Sequence, residues 1–285
     1  MKLARFGAVG RETPAVIVDE SQGVLDARPV TSDYDARFFA DDGVARLRDA
    51  ALAGELPRLQ TTDLRVGAPV NRPGKIICIG LNYRNHAIEA GMEVPSEPVI
   101  FMKASNTIVG PNDDVHIPRL SRKTDWEVEL AVVINTPVAY LDSPLDAARC
   151  IAGYAVANDV SEREFQMERG GQWDKGKSCA TFNPLGPWLV TADEVADPQQ
   201  LEMFLELNDR RQQTGSTSDM IFPVDHLVWY VSQFMVLEPG DIINTGTPAG
   251  VGHGLRPPRY LAPGDRLHLG ITGLGAQRCQ AVAAP

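Results

Sequence analysis

Two glutamates two residues apart, Glu127 and Glu129, stand in the segment Asp125-Trp126-Glu127-Val128-Glu129-Leu130. The alternation predicts a strand, with Trp126, Val128 and Leu130 on one face and both carboxylates on the other. A strand with one solvated face would carry the same pattern. The segment, however, runs on into Ala131, Val132, Val133 and Ile134, apolar on both faces, so the strand is expected to cross the interior. Buried carboxylates need partners, and a divalent cation satisfies several at once. A third acid, Asp159, ends the small-residue strand that begins at Gly153. Oxygen ligands from Glu127, Glu129 and Asp159 suit Mg²⁺ or Mn²⁺, with about three octahedral positions left for water and a chelating substrate.

A second pair, His86 and Glu89, is three residues apart and shares a face if the segment after KIICIG is helical. Asn82 is placed to cap that helix and Gly91 to stop it. A carboxylate beside an imidazole raises its basicity and fixes its orientation, as a water-activating base requires; an exposed ion pair is the plainer reading. The glycine-rich loop from Gly246 to Gly252 lacks the Gly-Lys-Ser/Thr ending of a phosphate loop, so nucleotide binding is rejected, while close backbone approach to a small ligand stays open. Lys177 suits either an anion contact or an exposed position. Arg84, Arg119 and Arg163 are candidates for a distal anion, and His116, His226, His253 and His268 read as structural or surface residues.

These residues need a frame of strands. From Lys75 onward short strand signals recur between turn residues: KIICIG, PVIFMK, WEVELAVVI, GYAVAND, GPWLVT, LEMFLELND, DIINTG and RLHLGITG. Helical spacing is confined to brief stretches, chiefly 225–234 and, in the leading segment, 44–52. The pattern is too poor in helices for a doubly wound nucleotide fold; it fits a mainly β chain with α+β elements, a sandwich or rolled sheet. Residues 1–70 read as a small N-terminal domain and linker, and 71–285 as a larger second domain.

The 285 residues are 44% hydrophobic and 22% charged, which excludes disordered, collagen-like and disulfide-scaffold classes. With 37 acidic against 27 basic side chains, nucleic acid and anionic membranes are not expected partners. The four cysteines form no Cys-x-x-Cys pair, which removes a zinc ribbon, and with a start lacking an apolar signal core they predict a cytoplasmic protein.

Taken in order, GLNYRNHAIEAG, DWEVELAVVI, GYAVANDVSEREFQ, KGKSCATFNPLGPWLVT, NDRRQQTGSTSDMIF and EPGDIINTGTPAGVG resemble the fumarylacetoacetate hydrolase family over residues 71–285. The resemblance implies a mixed β-sandwich roll, a homodimer, and Mg²⁺ or Mn²⁺, with Ca²⁺ also able to take the site, at the mouth of the roll. It implies metal ligands Glu127, Glu129 and Asp159, a water-activating dyad His86 and Glu89 on a lid helix, and a keto-acid lysine, Lys177. Gln166 and Thr247 match substrate contacts and Arg163 a supporting position. The ending HGLRPPRYL is similar to a bacterial subgroup of acylpyruvases and 2,4-diketo-3-deoxy sugar acid hydrolases. The implied reaction is metal-dependent C–C hydrolysis of a 2,4-diketo acid to pyruvate and a second acid. Oxaloacetate decarboxylation, hydroxy-dienoate isomerisation and ureidoglycolate lyase action are alternatives within the family, and a non-catalytic protein binding small acids is the alternative outside it.

Overall fold

The segment with the paired glutamates feeds the strand Val128–Ile134, buried along its whole length. In the computed structural model, which describes residues 1–18 and 23–285, this strand lies inside a large mixed sheet. It pairs antiparallel with Ile151–Asn158 on one side and with Ile242–Asn244 on the other. Ile242–Asn244 in turn runs parallel to Ile76–Gly80, which pairs antiparallel with Val99–Lys103. On the far side Leu189–Thr191 joins Ile151–Asn158 to the leading strands Lys2–Phe6, Thr13–Ile17 and Leu25–Asp26, so these continue the same sheet.

This order brings four chain segments to one end of the sheet. Val128 stands opposite Asn158, so the start of one strand meets the end of the other and Asp159 arrives beside Glu127; Asp159 N donates to Glu127 O at 2.9 Å. The parallel pairing of Asn244 with Cys78 sends the loop after residue 244 and the helix after residue 80 to that same end. The site is thus a product of strand direction.

A second sheet runs Arg210–Ser216, Glu202–Leu207, Arg266–Ile271, Gly275–Ala283 and Val115–Ile117. Val128, Leu130, Val132 and Ile134 share a core with Leu205, Leu207, Leu267 and Leu269 of this sheet and with Leu227, Val228 and Val231 of the helix Val224–Ser232. Ala131 and Val133, on the opposite face, pack in a second core with Phe38, Phe39 and Leu47 from the helices Ala36–Ala40 and Gly43–Leu52. Alternate residues of one strand therefore serve two cores, which is why its sequence is apolar throughout.

The dyad helix is shorter than its sequence signals suggest, Arg84–Glu89, with Tyr83 at the cap position. Asn82 does not cap it. Its side chain donates to Phe222 O at 3.0 Å and Thr245 O at 2.8 Å and accepts from Phe222 N at 2.9 Å, so tertiary partners outcompete the helix end. All four cysteines are unpaired. No helix among the described residues is long and apolar enough to cross a membrane.

Candidate active site

Glu127, Glu129 and Asp159 are buried, and one ligand oxygen from each lies within 4.8 Å of the others. Three buried cations surround them. Lys177 Nζ donates to Glu127 Oε2 at 2.7 Å and to Asp159 Oδ2 at 2.8 Å. Arg163 Nη2 pairs with Glu127 Oε1 at 2.7 Å, while its Nε donates to Asp125 Oδ2 at 2.8 Å. Lys103 Nζ binds Asp159 Oδ1 and donates to Val160 O at 3.1 Å. Burial opposes ionisation of Glu127, but Lys177 and Arg163 outweigh it and hold its carboxyl below the usual range. Glu129 is the member left short. Its hydrogen bond comes from Gly246 N at 2.8 Å, and burial, then the charges of Asp159 and Glu127, push its carboxyl well above the usual range. Hard oxygen donors, burial and a carboxylate without a cation of its own fit a divalent cation.

Across the cavity, His86 Nδ1 lies 3.6 Å from Glu89 Oε2. That separation is an ion-pair distance and not a hydrogen bond, and Nδ1 is buried without a hydrogen-bond partner. Gly250 N donates to both Glu89 oxygens at 3.0 Å. Burial would raise the Glu89 carboxyl, but His86 and the Gly250 N–H together lower it. The glycine-rich loop therefore presents its backbone to the protein's own carboxylates: Gly246 N to Glu129 and Gly250 N to Glu89. Both glycines hold positive φ, +102° and +107°, and a Cβ on Gly250 would meet Gln212 O at 2.0 Å.

His86, Glu127, Glu129, Arg163, Gln166, Lys177 and Thr247 all line one cavity of about 50 Å³. Asp159 lies behind them, reached through Lys177, and Glu89 stands behind His86. Gln166 accepts from Arg163 Nη1 at 3.2 Å. The Thr247 hydroxyl gives its one hydrogen to Val128 O at 2.9 Å and accepts from Gln213 Nε2 at 2.7 Å. Arg84 lines a separate cleft with Tyr83 and Asp219, and Arg119 donates to Pro285 O at 2.8 Å. Of the candidates for a distal anion, only Arg163 reaches the cavity, and its guanidinium is already engaged.

Three residues passed unnoticed in the sequence, and a fourth, His253, holds a place its reading did not give it. Lys103 ends the apolar strand PVIFMK, where a lysine looks solvated. Asp125, fully buried, accepts from Gly252 N at 2.7 Å, His253 N at 2.9 Å and Arg163, so it staples the glycine loop to the cation cluster. Gln213 bridges Val128 N, Thr247 and Pro248 O. His253, expected to be a structural or surface residue, lines the cavity; burial, then Arg163, lower its pKa, and Nδ1 lies 2.9 Å from Tyr260 Oη.

A sandwich roll that gathers three buried carboxylates and a His–Glu pair at one sheet end defines a class of acid-lined enzyme. Residues 75–282 match the family model described as fumarylacetoacetate (FAA) hydrolase, C-terminal. The chain belongs to the fumarylacetoacetate hydrolase family. A Burkholderia multivorans protein provisionally named a hydrolase is 52% identical over 278 residues, 97% of each chain. Among solved structures, a Mycobacterium smegmatis chain provisionally assigned as an HpcE protein is 36% identical with a TM-score of 0.90, and the fumarylacetoacetate hydrolase of Exiguobacterium antarcticum is 35% identical with a TM-score of 0.85. The maleylpyruvate hydrolase of Sphingobium sp. SYK-6, solved with manganese(II) and pyruvate, is 30% identical with a TM-score of 0.80. Each of the three covers 100% of both chains.

Proposed function

We propose that the protein is a divalent-cation-dependent hydrolase that cleaves the C3–C4 bond of a 2,4-diketo acid, giving pyruvate and a second carboxylic acid. The observation that carries this reading is that Glu127, Glu129 and His86 line one cavity, with Asp159 and Glu89 directly behind them. Mg²⁺ or Mn²⁺ held by Glu127, Glu129 and Asp159 would polarise the carboxylate and 2-oxo group of the substrate and serve as electron sink.

The chain's own groups supply the rest. His86 takes a proton from a water molecule, and Glu89, fixed by Gly250 N, stabilises the resulting imidazolium. The hydroxide oxygen bonds to C4; the C3–C4 pair then leaves to C3, producing the enolate of pyruvate and the carboxyl group of the second acid. Lys177 is held above the ordinary lysine range, because Asp159 and Glu127 outweigh the opposing effect of burial. It keeps its proton and acts as a fixed positive charge beside the developing enolate, which then takes a proton at C3 from the imidazolium. Gln166 offers its amide N–H groups to the substrate carboxylate.

Metal-stripped protein given Mg²⁺ or Mn²⁺ and an acylpyruvate tests the reading. Cation-dependent loss of the diketone absorbance with one pyruvate formed per substrate is expected. A product that keeps the whole carbon skeleton, or release of carbon dioxide from oxaloacetate with no diketone cleavage, would replace hydrolysis with isomerisation or decarboxylation.

A further inference from the structure

The cavity wall combines two chemistries. His86, Glu127, Glu129, Arg163, Gln166 and Lys177 supply its polar groups, whereas the remaining wall is largely Ile79, Leu81, Met92, Phe101, Met167 and Trp173. Met92 and Met167 stay 39% and 44% exposed, so two large apolar side chains stand in water at the rim of a buried polar site. Phe101 and Trp173 pack edge to face at 5.4 Å, and Lys177 Nζ sits 4.9 Å from the Phe101 ring centroid. Among the described residues the wall also presents no free cation. Lys177 and Arg163 are spent on carboxylates, and burial and the Arg163 charge disfavour the charged form of His253.

We propose that the distal group of the substrate, R in R–CO–CH₂–CO–COO⁻, is apolar and uncharged and packs against Met92, Met167 and Trp173. This rests on the hydrolase reading above, with the 2-oxo acid end placed at the triad. A second carboxylate at R would lose its water and gain no positive charge, a cost that a paired buried charge avoids. An alkyl R gains about four-fold in affinity for each methylene buried. Methionine side chains suit this task, because three rotatable bonds let them part for chains of different length. They must part: about 50 Å³ holds only a few water molecules, at roughly 10–15 Å³ each.

The test compares kcat/KM for acetyl-, butanoyl- and hexanoylpyruvate with that for maleylpyruvate, using Mg²⁺-loaded protein. A rise of several-fold or more along the alkyl series, with maleylpyruvate at least a hundred-fold below hexanoylpyruvate, is expected. In Met167→Lys the ratio of hexanoyl- to maleylpyruvate should fall at least ten-fold. A flat alkyl series, or maleylpyruvate as the better substrate, overturns the inference. A second arm measures binding of 2-oxohexanoate and 2-oxoglutarate to Mn²⁺-loaded protein by calorimetry, independently of any turnover. If no diketo acid is cleaved, the hydrolase reading fails, and tighter binding of 2-oxohexanoate still sustains the distal preference. Tighter binding of 2-oxoglutarate sinks it.

Discussion

The acid triad and the histidine pair serve the same cavity from very different footings. Glu129 belongs to a strand hydrogen-bonded on both sides, and its neighbours Glu127 and Asp159 are tied by backbone and by three buried cations. His86 and Glu89 ride on a six-residue helix with no side-chain cap, whose outer residue Ile88 is 64% exposed. Helices that short have little stability of their own. What holds this one toward the cavity at its far end is Glu89 on Gly250 N. A cation site profits from rigidity, since its ligands must keep their places through turnover. A base that must admit substrate profits from a mount that can open.

The largest effect should come from the rigid side. Glu129→Gln removes a cation ligand without changing shape, and turnover is expected to fall at least about 10⁴-fold, near the whole contribution of a metal centre. In wild type a cation at 100 times its Kd adds about 2.7 kcal/mol of stability, read as a raised Tm. The variant should lose that metal-induced rise while its metal-free Tm stays at or above the wild-type value, because the amide replaces a carboxyl whose ionisation burial and its acid neighbours oppose. A retained rise would move the cation elsewhere. Next is His86→Ala, with an expected loss of about 10³-fold in kcat. The metal-induced Tm shift should be intact, and full turnover would exclude the pair from the chemistry.

Gly254→Ala probes the soft mount itself. A Cβ there would lie 2.2 Å from Glu89 Cδ, so the carboxylate must swing away from His86 and Gly250. Misplacement of about 1 Å costs near 100-fold. Since Gly254 touches none of the triad, the metal-induced Tm shift should persist while kcat falls. Unchanged kcat would show that the Glu89 contact is dispensable.

The same contrast decides what could be read from sequence. Glu127 and Glu129 are neighbours in an alternating strand, so local periodicity exposes them. Their meeting with Asp159 depends on the register that sets Val128 opposite Asn158, and no local pattern specifies a strand's partner. The main strands were readable for the reason the glutamates were, since each is a short apolar run between turn residues. Asn82 misled because a good cap residue is also a good tertiary hydrogen-bonder, and here three long-range bonds win. The glycine loop left close backbone approach to a small ligand open, yet two of its N–H groups are taken by Glu129 and Glu89. Lys103 and Asp125 carried no signal at all, because burial at a strand end or a loop junction is a property of the finished packing.

Lys103 offers the finest test of how rigid the acid side is. It grips Asp159 Oδ1 while Lys177 ties Oδ2 to Glu127, so each Asp159 oxygen already has a lysine partner. Ca²⁺ takes six to eight oxygens and accepts bidentate carboxylates, whereas Mg²⁺ demands a tighter octahedron. Lys103→Met keeps the length and removes the charge, which frees Asp159 to offer both oxygens. The ratio of Ca²⁺ to Mg²⁺ affinity, measured by calorimetry, should rise about ten-fold, equivalent to about 1.4 kcal/mol. Leaving a buried carboxylate without one of its cations should also lower the metal-free Tm, in line with a cost of about 3–5 kcal/mol, and metal should restore more of it than in wild type. An unchanged affinity ratio would mean that the strand backbone alone fixes Asp159, making the acid side stiffer still than its side-chain contacts imply.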